Sequence, residues 1–137
     1  MNFDKPVPVP TPTSAPFWDG VRDGVVKLQK CNDCGAWVFY PRSRCSSCLS
    51  DALDWHTVSG DGKLYTFTIA RQPTSPHFAS EVPQRIAVVE LDEGVRLTTT
   101  LVNVADADIR IGMRVKPYFD AVSEDSTLLR YQPAGLL

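Results

Sequence analysis

From Leu64 to Ala70 polar and apolar side chains alternate, and Tyr65, Phe67 and Ile69 fall on one face. Period-two alternation of that length predicts a half-buried β-strand. Arg85 to Leu91 is apolar on both faces, which predicts a strand at the centre of a sheet. Asp92-Glu93-Gly94 has hairpin-turn composition, and the next run, Val95 to Val104, sets Val95, Leu97, Thr99 and Leu101 on one side. Met113 to Val122 and Thr127 to Tyr131 complete the set. Gln72 to Gln84 carries Pro73, Pro76 and Pro83 and reads as a long loop, and Asp106 to Gly112 reads as a connector. Five strands with glycine-marked bends predict a small Greek-key barrel. The OB-fold is the commonest five-stranded case, with an SH3-like barrel as the structural alternative.

The N-terminal part follows a different rhythm. Pro6, Pro8, Pro10, Pro12 and Pro16 predict an extended arm, either free or laid along a partner. Ser14 to Gly24 predicts a short helix: Ser14 can cap it, Pro16 suits its first turn and Gly24 ends it. Phe17, Trp18 and Val21 share its apolar face, to be buried on the body of the chain or on a partner. Val25 to Lys30 and Ala36 to Tyr40 predict two strands, with Pro41-Arg42 breaking the second. Trp55 to Ser59 is a further strand candidate, and Gly60-Asp61-Gly62 a turn or bulge. The expected architecture is mainly β: an arm and helix over residues 1–24, a small module over 25–52, and a barrel over 53–137.

The small module carries all the chemistry that the pattern singles out. Its four cysteines are Cys31, Cys34, Cys45 and Cys48, a C-x2-C pair, ten intervening residues and a second C-x2-C pair. Each pair lets one tight turn offer two thiolates to the same ion, and Gly35 suits a turn that needs positive φ. Two such turns make a closed tetrahedral shell, so the expectation is one structural zinc, with iron as the other ion that four thiolates hold. Two disulfides are the competing reading. The absence of a signal-peptide pattern in Met1–Pro16 weighs against them and points to a cytoplasmic protein. A closed shell has no open position for water or substrate, so the ion's expected task is to fold a segment too small for its own core.

The chain has 137 residues and a formal net charge of −2. No apolar run is long enough for a membrane helix. Residues 22–48 hold five basic and two acidic side chains, whereas 49–137 hold eight basic and twelve acidic. That balance argues against nucleic acid, whose affinity comes largely from phosphate neutralisation. Single-strand binding by a zinc ribbon and OB-fold, with Tyr65 and Phe67 stacking on bases, is nevertheless the alternative function. For catalysis the chain offers two histidines, His56 in a strand candidate and His77 in the proline loop. No nucleophile elbow, phosphate loop or dinucleotide fingerprint accompanies them. The expectation is a protein with no active site of its own.

Phe17-Trp18, Cys31-x2-Cys34-Gly35, and Pro41-Arg42 before Cys45-x2-Cys48 resemble the N-terminal half of a family of small acyl-CoA-associated proteins, the domain of unknown function thirty-five. Trp55, Gly60-x-Gly62, Tyr65-Thr66-Phe67-Thr68, Pro83, Val89 to Leu97, Ile111 to Val115 and Tyr131 to Ala134 follow in the family's order. Ser46 departs from the proline common in the second knuckle and leaves the ligands untouched. The resemblance implies a rubredoxin-like zinc ribbon joined to an OB-fold, and a partner rather than a reaction. Such proteins accompany thiolase-like enzymes, including lipid-transfer-protein-like aldolases of steroid side-chain breakdown, and some pair with hydratases of the hot-dog fold. The chain is thus expected to be a non-catalytic subunit in a hetero-oligomer with a thiolase-like aldolase. If coenzyme A touches it, the clustered cations Lys27, Lys30, Arg42 and Arg44 are the expected phosphate contacts, with plain solvated charge as the competing reading.

Overall fold

The computed structural model describes residues 8–73, 76–124 and 126–134, with Phe78 described by its backbone. The first seven residues of the proline arm, Ser75 of the proline loop and the last three residues of the barrel segment lie outside that range. Helix α1 spans Ala15–Arg22 with proline in its first turn, and buries Phe17, Gly20 and Val21. Ser14 does not cap it by its side chain. A turn already precedes the helix, with the Ala15 amide bonded to the Thr11 carbonyl at 2.8 Å. The Ser14 hydroxyl oxygen instead accepts from the Thr11 amide at 2.9 Å.

Strand β1 (Val26–Cys31) lies between β2 (Trp37–Val38) and β3 (Leu53–Val58) in a three-stranded antiparallel sheet. The expected run to Tyr40 is cut to two residues. Pro41 has no amide for a ladder, and the backbone of Arg42 bonds a side chain instead. Strand β3 pairs with β1 from Leu53 opposite Cys31 to Val58 opposite Val26. It therefore continues the ribbon sheet past the boundary at residue 53 suggested by the sequence.

Beyond Gly60 come β4 (Gly62–Ala70), β5 (Gln84–Leu91), β6 (Arg96–Thr100), β7 (Arg114–Ala121) and β8 (Thr127–Pro133), ordered β6-β5-β4-β7-β8. A parallel bridge from Leu101 to Tyr131 brings the two edges together, which is the closure of an OB-fold barrel. The proline loop contains a 3-10 helix, Pro76–Glu81.

The expected face of β4 is broken. The β4–β5 register shifts between Leu64 and Thr66. Leu64 therefore points into the core and Tyr65 is 45% exposed, while Phe67 packs against the core again. A bulge of this kind is invisible to a strict two-residue period. Tyr65 lies under the Arg96 guanidinium, 3.9 Å from the ring centre.

One core serves both sheets. Val26 and Leu28 of β1 pack in the same cluster as Leu64, Val89, Leu97, Val115 and Tyr131. The passage between sheets is tight. A Cβ on Gly60, whose φ is +77°, would lie 2.7 Å from both Pro117 and Val26, and one on Gly62 would lie 2.4 Å from the Glu90 carbonyl oxygen. The buried Tyr131 hydroxyl donates to the Gly60 carbonyl at 2.6 Å.

Candidate metal centre

The two cysteine pairs fold as matched turns. In the first, the Gly35 amide bonds the Cys31 carbonyl at 2.9 Å; in the second, the Leu49 amide bonds the Cys45 carbonyl at 3.0 Å. Both closing residues are left-handed, Gly35 at φ +78° and Leu49 at φ +67°. Glycine adopts that conformation freely, whereas leucine is strained in it. The turns are tied down by the Asn32 carboxamide, which donates to Asp54 at 2.8 Å, and by the Ser50 hydroxyl, which donates to Asp33.

All four sulfurs lie within 4.8 Å of one another. Cys31 to Cys48 and Cys34 to Cys45 are both 3.6 Å apart. Tetrahedral metal–sulfur bonds of about 2.3 Å need sulfurs about 3.8 Å apart, so the donor set fits one four-coordinate ion. Cys31 and Cys45 are buried, and Cys34 and Cys48 exposed.

The thiols differ in their surroundings. The amides of Cys48 and Ser47 pull the Cys45 thiol down to about 6. The Ser50 amide also favours the Cys48 thiolate, but burial and the three neighbouring sulfurs outweigh it and push that thiol up to about 12. Amide donors thus favour the thiolate at Cys45, while burial and the neighbouring sulfurs disfavour it at Cys48, a repulsion that a cation among them would relieve.

The four ribbon cations have separate surroundings. Lys30 sits over the Trp37 ring at 5.0 Å. Arg44 donates to the Leu49 carbonyl at 3.1 Å and braces the strained turn. The Lys27 stem lies against α1, 3.1 Å from where a Gly20 Cβ would be. Arg42 is exposed, and its backbone is clamped by the buried Gln29 carboxamide through two 2.8 Å bonds. Sequence reasoning missed Gln29, because nothing local marks one polar strand residue as buried. His56 makes an edge contact with Trp37 at 5.8 Å. His77 lies exposed on the 3-10 helix.

The Phe17-Trp18 helix docks on its own chain. Phe17 is buried, with its ring 5.5 Å from that of Phe39. Trp18 is partly exposed and borders a hollow of about 400 Å³, closed by Phe39-Tyr40-Pro41 of the ribbon and by Leu97, Leu128 and Leu129 of the barrel. Among the described residues no helix is long and apolar enough to cross a membrane.

Residues 18–54 match the model of the ChsH2 rubredoxin-like zinc ribbon domain, and residues 55–120 that of the ChsH2 C-terminal OB-fold domain. A DUF35 domain-containing scaffold protein of Methanocaldococcus jannaschii is 33% identical over 97 residues, spanning 70% of this chain and 68% of the relative. The chain belongs to the DUF35 family. A probable enoyl-CoA hydratase alpha subunit of Thermomonospora curvata is 36% identical over 121 residues, but this DUF35 chain spans only 37% of its length. Among solved structures, a chain of the Ltp2-ChsH2(DUF35) aldolase superposes with a TM-score of 0.82 at 31% identity, covering 93% of this chain and 99% of that one. A DUF35 protein of Sulfolobus solfataricus, at 16% identity and a TM-score of 0.61, shares the fold.

Proposed function

We propose that this DUF35 chain is a zinc-bearing, non-catalytic subunit of a thiolase-like acyl-CoA aldolase, acting in retro-aldol cleavage of a steroid side-chain thioester. The observation that carries the reading is the superposition on a chain of the Ltp2-ChsH2(DUF35) aldolase, at a TM-score of 0.82 and 31% identity. Zinc is the ion proposed for Cys31, Cys34, Cys45 and Cys48, and its task is to hold the ribbon against the barrel. Arg42 and Arg44, with Lys27 and Lys30, are the proposed contacts for coenzyme A phosphates. Partnership with a hot-dog hydratase is the second reading, and the names of the hydratase alpha subunits support it. Single-strand nucleic-acid binding is less well supported, because residues 49–137 hold twelve acidic side chains against eight basic ones.

The test is affinity capture of the tagged chain from its native host at moderate salt. A thiolase-like enzyme in fixed ratio is the expected result. Capture of a hot-dog hydratase alone would replace the first reading with the second, and recovery of nucleic acid would replace both.

A further inference from the structure

We infer that the outer edge of β4 is a self-association site, at which residues 65–70 of two copies of this chain pair antiparallel about a twofold axis at Thr68. Strand β4 pairs with β5 along its whole length, from Gly62 to Ala70, but with β7 only at Gly62 and Lys63. Leu64 adds two bonds on that second side. Its amide donates to the Met113 carbonyl at 2.9 Å, and its carbonyl accepts from the Gly112 amide at 2.8 Å. There the neighbouring chain turns away, since the Met113 amide closes a turn on the Arg110 carbonyl at 3.1 Å. Beyond Leu64 no strand lies in the lane beside β4 among the described residues.

The register fixes which backbone groups are left over. The Arg85 carbonyl accepts from the Leu101 amide at 2.8 Å, so the backbone of Arg85 faces β6 rather than β4. Its partner Ile69 therefore turns its amide and carbonyl outward, and so does Phe67, opposite Ala87. Among the described residues neither finds a backbone partner on that side. Outward groups two residues apart are what an antiparallel neighbour needs, and the same strand reversed supplies them. With Thr68 facing Thr68 of the second copy, Phe67 lies opposite Ile69 and Ile69 opposite Phe67, each pair exchanging both backbone hydrogen bonds. The length agrees as well: β4 ends at Ala70, so the second strand leaves the lane before it meets the Gly112 turn. Edge strands ordinarily resist such pairing by charge, proline or brevity. Residues 65–70 carry neither charge nor proline, and pairing about Thr68 sets no charged side chain of one strand opposite one of the other. Exposed apolar groups flank the lane, Ile111 at 61% and Tyr65 at 45%.

Sedimentation of the full metal-loaded chain over a concentration series tests the pairing. The average mass is expected to double toward the highest concentration, and the Phe67 and Ile69 amides to become protected from hydrogen exchange in step. Thr68 is exposed, and in the dimer its two copies are close neighbours across the axis, where like charges repel. Thr68→Lys alone and Thr68→Glu alone should each stay monomeric, with circular dichroism confirming that both fold. An equimolar mixture of the two should regain the dimer, which damage to the fold would not allow. A chain that stays monomeric to its solubility limit, a dimer that survives both substitutions, or a mixture that does not associate overturns the site. Protection of Phe67 and Ile69 that appears only on adding a thiolase-like enzyme gives the edge to that partner and overturns the self-pairing. Self-association is independent of the accessory-subunit reading, which partner capture tests by itself.

Discussion

Leu49 occupies the position that Gly35 fills in the first turn, with the same left-handed backbone and 70% of its surface exposed. Its side chain contributes little burial to offset the strain, so Leu49→Gly should stabilise the metal-loaded chain by about 1 kcal/mol. Thermal unfolding under saturating metal checks this, and a lower midpoint would contradict it. Asp92 receives two bonds from Arg114, at 2.9 and 3.0 Å, and this guanidinium holds its carboxyl below the usual carboxylate range. A carboxylate depressed in the folded state stabilises above its unfolded value of about 4, and that stability is lost as pH falls through the lower folded value. Both groups are half exposed, so the effect is small. Asp92→Asn should flatten the stability profile below about pH 4 and leave its shape near neutrality unchanged. At this scale the clustering of the four cysteines was legible because their spacing is itself the signal. Gln29 was not, because its meaning depends on Arg42 thirteen positions away.

Among the elements, β5 and β6 declared themselves by composition and alternation. The bulge in β4 did not: it exchanges the inward position between Leu64 and Phe67 without altering the alternation that the sequence displays. The placement of β3 was equally hidden, since a strand pattern says nothing of its neighbour. Its pairing with β1 leads the chain straight into the Gly60–Gly62 passage. Gly62→Ala would press a methyl group to 2.4 Å from the backbone oxygen of Glu90, where no flexible side chain can yield. A loss of about 2–4 kcal/mol is expected, the usual scale for overpacking against backbone. Denaturant unfolding measures it, and a change under about 0.5 kcal/mol would contradict the geometry.

Over the whole molecule, Val26 and Leu28 make the ribbon part of the barrel core, so metal loss should not remain local. Structural zinc contributes roughly 10–16 kcal/mol to folding in isolated small modules. Chelation, or Cys45→Ser, should therefore lower the barrel's unfolding midpoint as well as open the ribbon. Hydrogen exchange at Val89 and Val115 reports this, and unchanged protection there would show that the two sheets are independent. The shared core and the hollow that opens beside it were not legible in the sequence, since both arise only when α1, ribbon and barrel meet. The family was legible through its motifs rather than through any physical pattern in the chain. The measurement that tests the account most directly is reconstituted turnover of a steroid side-chain CoA thioester, with the thiolase-like partner alone, this chain alone, and both together. Cleavage by the mixture, none by this chain, and little by the unaccompanied partner is the expected result. Cleavage by this chain alone, or full activity of a soluble partner without it, would contradict the account.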